Sequence, residues 1–365
     1  MKLAVVGGGN TAFGMAAALK LRHFEVALFE APEFASTIEP VLEQGGIKIR
    51  GVVGEGLAQV DLVTTDAKAA ITGAAIVFVA VPAYAQERMS ELIVPYLKDE
   101  QIVLLMPGNA GGALAFAKRL KETQPGKRPL IAEASSCLFA CKKDGPAGVW
   151  VRGLKQGLPA AAFPAKDTDR VVKALQETFA EFSPASHVLE TSLTNINHMV
   201  HPPGVLLNTG HVELAKEDWR FFGEGLSPSV CKVMEATDRE RIQVVTRLGL
   251  PPITLLDWLL RFYAHQGVKG QTLFEAVNSS PVHAASKAPR SVSHRYVTED
   301  VPYGLVPIAS IGRELGIQTP AIDTVIALAG LVSGKDWWLE GRTAAKMGLS
   351  GKSDKQMVEF VSEGN

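Results

Sequence analysis

Short apolar runs separated by glycine, proline and charged residues fill the first half of the chain, and their lengths predict strands. Residues 3–6, Leu3-Ala4-Val5-Val6, form the first and stop at Gly7-Gly8-Gly9. Residues 11–22 carry apolar and small side chains on most faces, with Lys20 and Arg22 near the end, and predict a helix. Residues 25–29 make a second strand, closed by Glu30 and Pro32. A strand, a helix and a strand in about thirty residues force the two strands to be parallel, because the connection crosses over. Further strands are predicted at 47–51 and 60–64. Residues 75–81 and 102–106 are unbroken apolar runs that end at Pro82 and at Pro107-Gly108-Asn109, as strands covered on both faces do. Residues 129–132 and 157–163 complete the set.

From about Val171 the pattern changes to longer amphipathic or apolar segments, predicting helices at 192–216, 229–248, 253–265, 309–315 and 321–331. Prolines at 251, 252, 281, 289, 302, 307 and 320 punctuate them as helix boundaries are punctuated. The predicted division falls near Ser183-Pro184. It gives an α/β domain with a mostly parallel sheet over residues 1–183 and an all-α domain over 184–365.

Composition narrows the picture. The 365 residues suffice for two ordinary domains, and 47% apolar with 21% charged side chains is a soluble globular profile. A net charge of -1 removes any bulk electrostatic case for a nucleic-acid or membrane-surface partner. No apolar run reaches the roughly 20 residues that span a bilayer. The opening Met1-Lys2-Leu3 runs straight into a strand and a glycine cluster, unlike a secretory leader, so a cytoplasmic enzyme is expected. The three cysteines, Cys137, Cys141 and Cys231, are too few and too unpaired for a disulfide framework or a zinc site, and are read as packing residues. No metal is predicted.

The turn after the first strand is the most specific feature. Gly7-Gly8-Gly9-Asn10-Thr11-Ala12 matches G-x-G-x-x-A, a variant of the dinucleotide fingerprint of a Rossmann domain. Gly7 makes the tight turn, Gly9 lets backbone approach a pyrophosphate, and Ala12 lets the helix sit close to the sheet. Phosphates then meet free N–H groups at a helix start. Gly7, Gly9, Asn10, Thr11 and Ala12 are therefore candidate cofactor contacts. Glu30 ends the next strand near the position of the acid that binds ribose hydroxyls. A carboxylate there would repel a 2′-phosphate, and Ala31-Pro32-Glu33-Phe34 offers no Arg or Lys to receive one, so NAD is expected over NADP. Glu30 also fits a plain solvated loop acid. Pro82 and the loop Pro107-Gly108-Asn109 leave the carboxyl ends of parallel strands, where ligands bind. Asn109 is a candidate for the nicotinamide or the substrate, and equally an ordinary turn residue.

Hydride transfer at a carbonyl or imine carbon needs a proton donor and acceptor beside it, and histidine is tuned for that near neutral pH. Of eight histidines, His198 and His201 stand out in Asn197-His198-Met199-Val200-His201-Pro202-Pro203-Gly204, three apart and so on one helix face. Ser293-His294-Arg295-Tyr296-Val297-Thr298-Glu299-Asp300 is a second cluster, in which Asp300 fits a helix cap and Arg295 a solvated surface residue.

Taken together, the glycine turn, the Pro107-Gly108-Asn109 loop, the His201-Pro202 step and the 295–302 segment resemble the opine dehydrogenase family, which includes octopine and nopaline dehydrogenases. The resemblance covers essentially the whole chain. It implies an NAD(P)-dependent reductive condensation of an amino acid with an α-keto acid, and the reverse oxidation. It implies a dyad in which Asp300 orients His201, the proton carrier, while Arg295 holds a substrate carboxylate. His198, one step before His201, competes for the same role. The apolar content of the helical half leads to the expectation of a homodimer. Two other readings stay open. One is a carbonyl reductase of the ketopantoate or glycerol-3-phosphate type, which would use a lysine such as Lys216 or Lys232. The other is a dinucleotide-binding protein without catalysis.

Overall fold

A computed structural model describes residues 1–216 and 218–364. It comprises two compact units, one running from Met1 to Thr191 and taking in the chain's last residues from Phe360, the other Ser192–Glu359.

Among the described residues the first unit holds twelve strands in two sheets. They are β1 (Lys2–Val6), β2 (Glu25–Phe29), β3 (Ile47–Gly51), β4 (Gly56–Ala58), β5 (Leu62–Thr64), β6 (Ile76–Val79), β7 (Ile102–Leu105), β8 (Leu130–Ala134), β9 (Phe139–Lys143), β10 (Gly148–Leu154), β11 (Leu158–Phe163) and β12 (Phe182–Pro184). The main sheet has eight, in the order β12-β11-β8-β7-β6-β1-β2-β5. Its pairs are parallel except β8 with β11. From β1 the chain steps to β2 on one side and later returns to β6 on the other, so the crevice where ligands bind opens beside the end of β1. β6 and β7 are buried at every residue, which is why they read as unbroken apolar runs.

The second sheet, β4-β3-β10-β9, was not foreseen. Residues 47–51 do form a strand, but it lies in this second sheet between β4 and β10, the latter about a hundred residues away in sequence. β9 begins with the apolar Phe139-Ala140-Cys141 but ends in Lys142 and Lys143, with Lys142 exposed, so its sequence does not read as a buried strand. This sheet explains the first helix, Asn10–Leu21. Ala12, Phe13, Met15, Ala16, Ala17 and Leu19 are all fully buried, and the helix packs on β2 as well as on β9 and β3. A helix covered on several sides has no polar face to show, hence its nearly uniform small and apolar sequence.

The second unit is helical, and among its described residues the sole β-type pairing is an isolated bridge between Arg220 and Lys287. The predicted segment 192–216 is not one helix. It contains Asn197–Leu206 and Thr209–Ala215, separated where Asn208 donates its side-chain amide to the Gly204 and Gly225 carbonyls. The other long helices are Pro228–Arg247, Leu255–Tyr263, Val306–Glu314 and Pro320–Ser333. No helix among the described residues is long and apolar enough to cross a membrane.

Arg241 ties these helices together from a fully buried position. Its Nε donates to Asp238 at 2.8 Å, Nη1 to the Leu193 carbonyl at 2.9 Å and Nη2 to the Ile253 carbonyl at 2.7 Å. Asp238 also accepts from the Leu255 amide at 2.8 Å. Replacing Arg241 by Met strands a buried carboxylate and two carbonyls. It is expected to cost about 3 kcal/mol or more, read as a lowered urea midpoint of the helical unit's unfolding.

Candidate active site

The candidate nucleotide-binding residues lie wholly in the first unit. Gly7 has φ +121, and a side chain there would press on the Ala80 carbonyl 2.9 Å away, so the turn out of β1 admits only glycine. Gly9 caps the helix Asn10–Leu21 with no side-chain bond, and no acid occupies the first turn. A Cβ placed on Gly9 meets nothing within 4 Å. That open space faces a bare helix N-terminus, the arrangement a pyrophosphate needs. Asn10 and Thr11 also serve the protein: Asn10 Oδ1 accepts from the Lys143 amide at 2.8 Å, and Thr11 Oγ1 lies 3.4 Å from Cys137 Sγ.

Glu30 is buried at the end of β2, not a solvated loop acid. Its Oε1 accepts from the Ala31 amide at 2.8 Å. Burial pushes the Glu30 carboxyl above its ordinary value, opposed by backbone hydrogen bonds from Ala31 and Gly8 and by the charge of Lys143. Lys143 was invisible to a reading of residues 31–34, because it arrives on β9. Pro82 begins the short turn Ala83–Ala85 after β6. Asn109 is buried at φ +53 in the loop after β7, which Gln86 braces by donating to the Pro107 carbonyl at 3.0 Å. The loop also covers Glu133, a buried carboxylate that accepts from the Ala113 amide and from Thr191 Oγ1.

The second unit assembles the histidines. The helix Asn197–Leu206 contains Pro202 and Pro203, which deny it two ladder hydrogen bonds, so packing has to hold it helical. Most of its residues are buried, and it lies against Pro228–Arg247 and Pro320–Ser333. His198 and His201 leave it on one face toward Asp300. His198 Nδ1 sits 2.9 Å from Asp300 Oδ1, and His201 Nδ1 sits 2.8 Å from Oδ2. Asp300 precedes a π-helical turn, Val301–Leu305, but makes no side-chain cap there, so the capping reading fails. Burial by itself would raise its carboxyl. The charge of His201 and the hydrogen bonds of both imidazoles outweigh that and hold it well below the usual carboxylate range.

His201 keeps 13% of its side chain exposed and stacks on Tyr296 at 3.7 Å and 12°, whereas His198 is fully buried. Phe221 stands edge-on to the His201 ring at 6.2 Å. Arg295 is about half exposed, and its Nε donates to Glu299, 1% exposed, at 2.8 Å. Glu299 thus fixes the guanidinium, a task its place in an acidic cluster did not single out. Lys216 and Lys232 are both exposed.

Known proteins resemble this chain in sequence and in fold. A family model described as NAD/NADP octopine/nopaline dehydrogenase, alpha-helical domain, matches residues 184–333. An opine dehydrogenase from Arthrobacter sp. (strain 1C) is 33% identical over 348 residues, 95% of each chain. Vitopine synthase of Allorhizobium ampelinum is 27% identical over 368 residues, 99% of each chain. The solved structure of octopine dehydrogenase in complex with NADH and agmatine has the same fold, with a TM-score of 0.78 at 20% identity over 100% of this chain and 98% of that one. With a relative one-third identical along nearly its whole length, the chain belongs to the opine dehydrogenase family, NAD(P)-dependent oxidoreductases that act on CH–NH bonds.

Proposed function

We propose that this enzyme joins the amino group of an amino acid to an α-keto acid and reduces the resulting imine, and runs the reverse oxidation, with His201 as the proton carrier. The observation that carries this reading is the pairing of a partly exposed imidazole with a buried, ionised Asp300. An ammonium must lose a proton before it attacks the keto carbon, and the carbonyl oxygen must gain protons to leave as water. His201, held by Asp300 through Nδ1, has its other ring nitrogen for both transfers. Bound nicotinamide supplies the hydride. Gly7, Gly9 and the first turn of Asn10–Leu21 would hold the pyrophosphate, with Glu30 on the ribose and Ala12, Pro82 and Asn109 lining the strand ends. Arg295, braced by Glu299, would take a substrate carboxylate.

Glu30 favours NAD as the cofactor, while Lys143 beside it softens the repulsion of a 2′-phosphate and keeps NADP as a second candidate. The enzyme works in the cytoplasm as a homodimer. Support for the pairing of copies comes from large apolar side chains left in solvent on the helical unit, Leu214, Leu331 and Leu339 at 88%, 83% and 75% exposure.

His294 stays out of the proton traffic. Burial, reinforced by the nearby charges of His201 and Arg295, pushes it down to about 4. Its Nδ1 instead accepts from the Tyr296 amide at 3.3 Å and caps the helix Arg295–Thr298.

NADH absorbance should fall only when pyruvate and a suitable amino acid are both present. His201→Ala should then lower kcat by about a hundredfold or more, while Lys216→Ala and Lys232→Ala leave it intact; turnover with a keto acid alone would instead indicate a carbonyl reductase. Glu30→Ala should raise the KM for NADH about tenfold or more, the loss of a charged hydrogen bond, and should narrow the gap to NADPH. Since His294 is depressed in the fold, its contribution is present above about pH 6.5 and is lost as pH falls toward about 4. Thermal scans across that window should show wild type losing roughly 1–3 kcal/mol more than His294→Asn, which keeps a capping side chain.

A further inference from the structure

We propose that His198 is a positioning residue for the catalytic pair: its Nδ1–H locks the second oxygen of Asp300, and it takes no part in proton transfer to or from the substrate. The inference rests on the reading that His201 is the proton carrier.

Three observations lead to it. The His198 side chain has no exposure, and its Nε2 is buried without a hydrogen-bond partner. A proton placed on Nε2 would be an orphaned donor, so the ring holds its proton on Nδ1 and points it at Asp300 Oδ1, 2.9 Å away. With no exposure and no partner at Nε2, His198 has no route by which to exchange protons with a substrate.

The second observation is the symmetry of the contact. Asp300 offers two oxygens, and each meets one Nδ1, at 2.9 and 2.8 Å. A carboxylate held at one oxygen can rotate about its Cβ–Cγ bond or tip toward another donor. Held at both, it has one orientation, and so does the imidazole hydrogen-bonded to it. A shift of an ångström in a proton carrier is costly to catalysis.

The third is the space provided for the ring. The Gly304 backbone, in the turn Val301–Leu305 that follows Asp300, lies so close to His198 that any side chain at 304 would collide with the imidazole. The helix that carries both histidines and the turn that follows Asp300 are thus fitted to each other around His198.

The test uses the full-length enzyme with NADH, pyruvate and whichever amino acid supports turnover. His198→Leu fills the site without a donor, and His198→Asn keeps an amide N–H close to the Nδ1 position. The Leu variant is expected to lose kcat by about ten- to a hundredfold, with the KM for pyruvate and NADH affinity by fluorescence within about twofold of wild type. The Asn variant should recover most of that loss. Wild-type kcat in a folded Leu variant, or equal impairment of Leu and Asn, would overturn the proposal. Nitrogen-15 imidazole spectra of the wild-type protein decide the matter even if a variant fails to fold, because a His198 proton on Nε2 contradicts it. His201→Asn is run alongside: full activity there would refute the proton-carrier reading itself, a failure distinct from that of His198.

Discussion

Asp300 is a carboxylate with almost no access to water, and such a group is tolerated only where its oxygens are fully paired. Two imidazole N–H groups meet that demand, one at each oxygen. Much of the helical unit is arranged so that they can. The histidines must share a helix face, which their three-residue spacing provides. The helix has to persist through two prolines, which its buried packing enforces. The segment entering at Asp300 must leave room for a ring, which Gly304 allows. Tyr296, just upstream, stacks on the His201 ring.

At the nucleotide end the governing constraint is closeness of backbone. Gly7 turns where the Ala80 carbonyl forbids a side chain, and Gly9 leaves open the space in front of the helix start. The helix behind them is buried between strands of two sheets and therefore carries alanines where a surface helix would carry charge. The second sheet also brings Lys143 to Glu30, so a strand distant in sequence contributes to the electrostatics around that buried acid.

The sequence alone determined what depends on local order. A parallel core follows from short apolar runs ending at glycine and proline, and a dinucleotide site follows from G-x-G-x-x-A between a strand and a helix. The His201-Pro202 step and the 295–302 segment carried the family, and the shared face of His198 and His201 was visible in their spacing. Other features depend on residues far apart meeting. The pairing of β3 with β10 is one, since β9 ends in Lys142-Lys143 and β10 breaks its apolar residues with Arg152 and Gly153, so neither reads as an unbroken apolar run like β6 and β7. The division of 192–216 into separate helices is another, because Asn208 caps through carbonyls supplied by two different segments. Glu299 looked like one acid among others until its burial beneath Arg295 was seen. The choice between His198 and His201 is of the same kind: spacing places both rings at Asp300, and only tertiary packing buries one completely and leaves the other partly open to solvent.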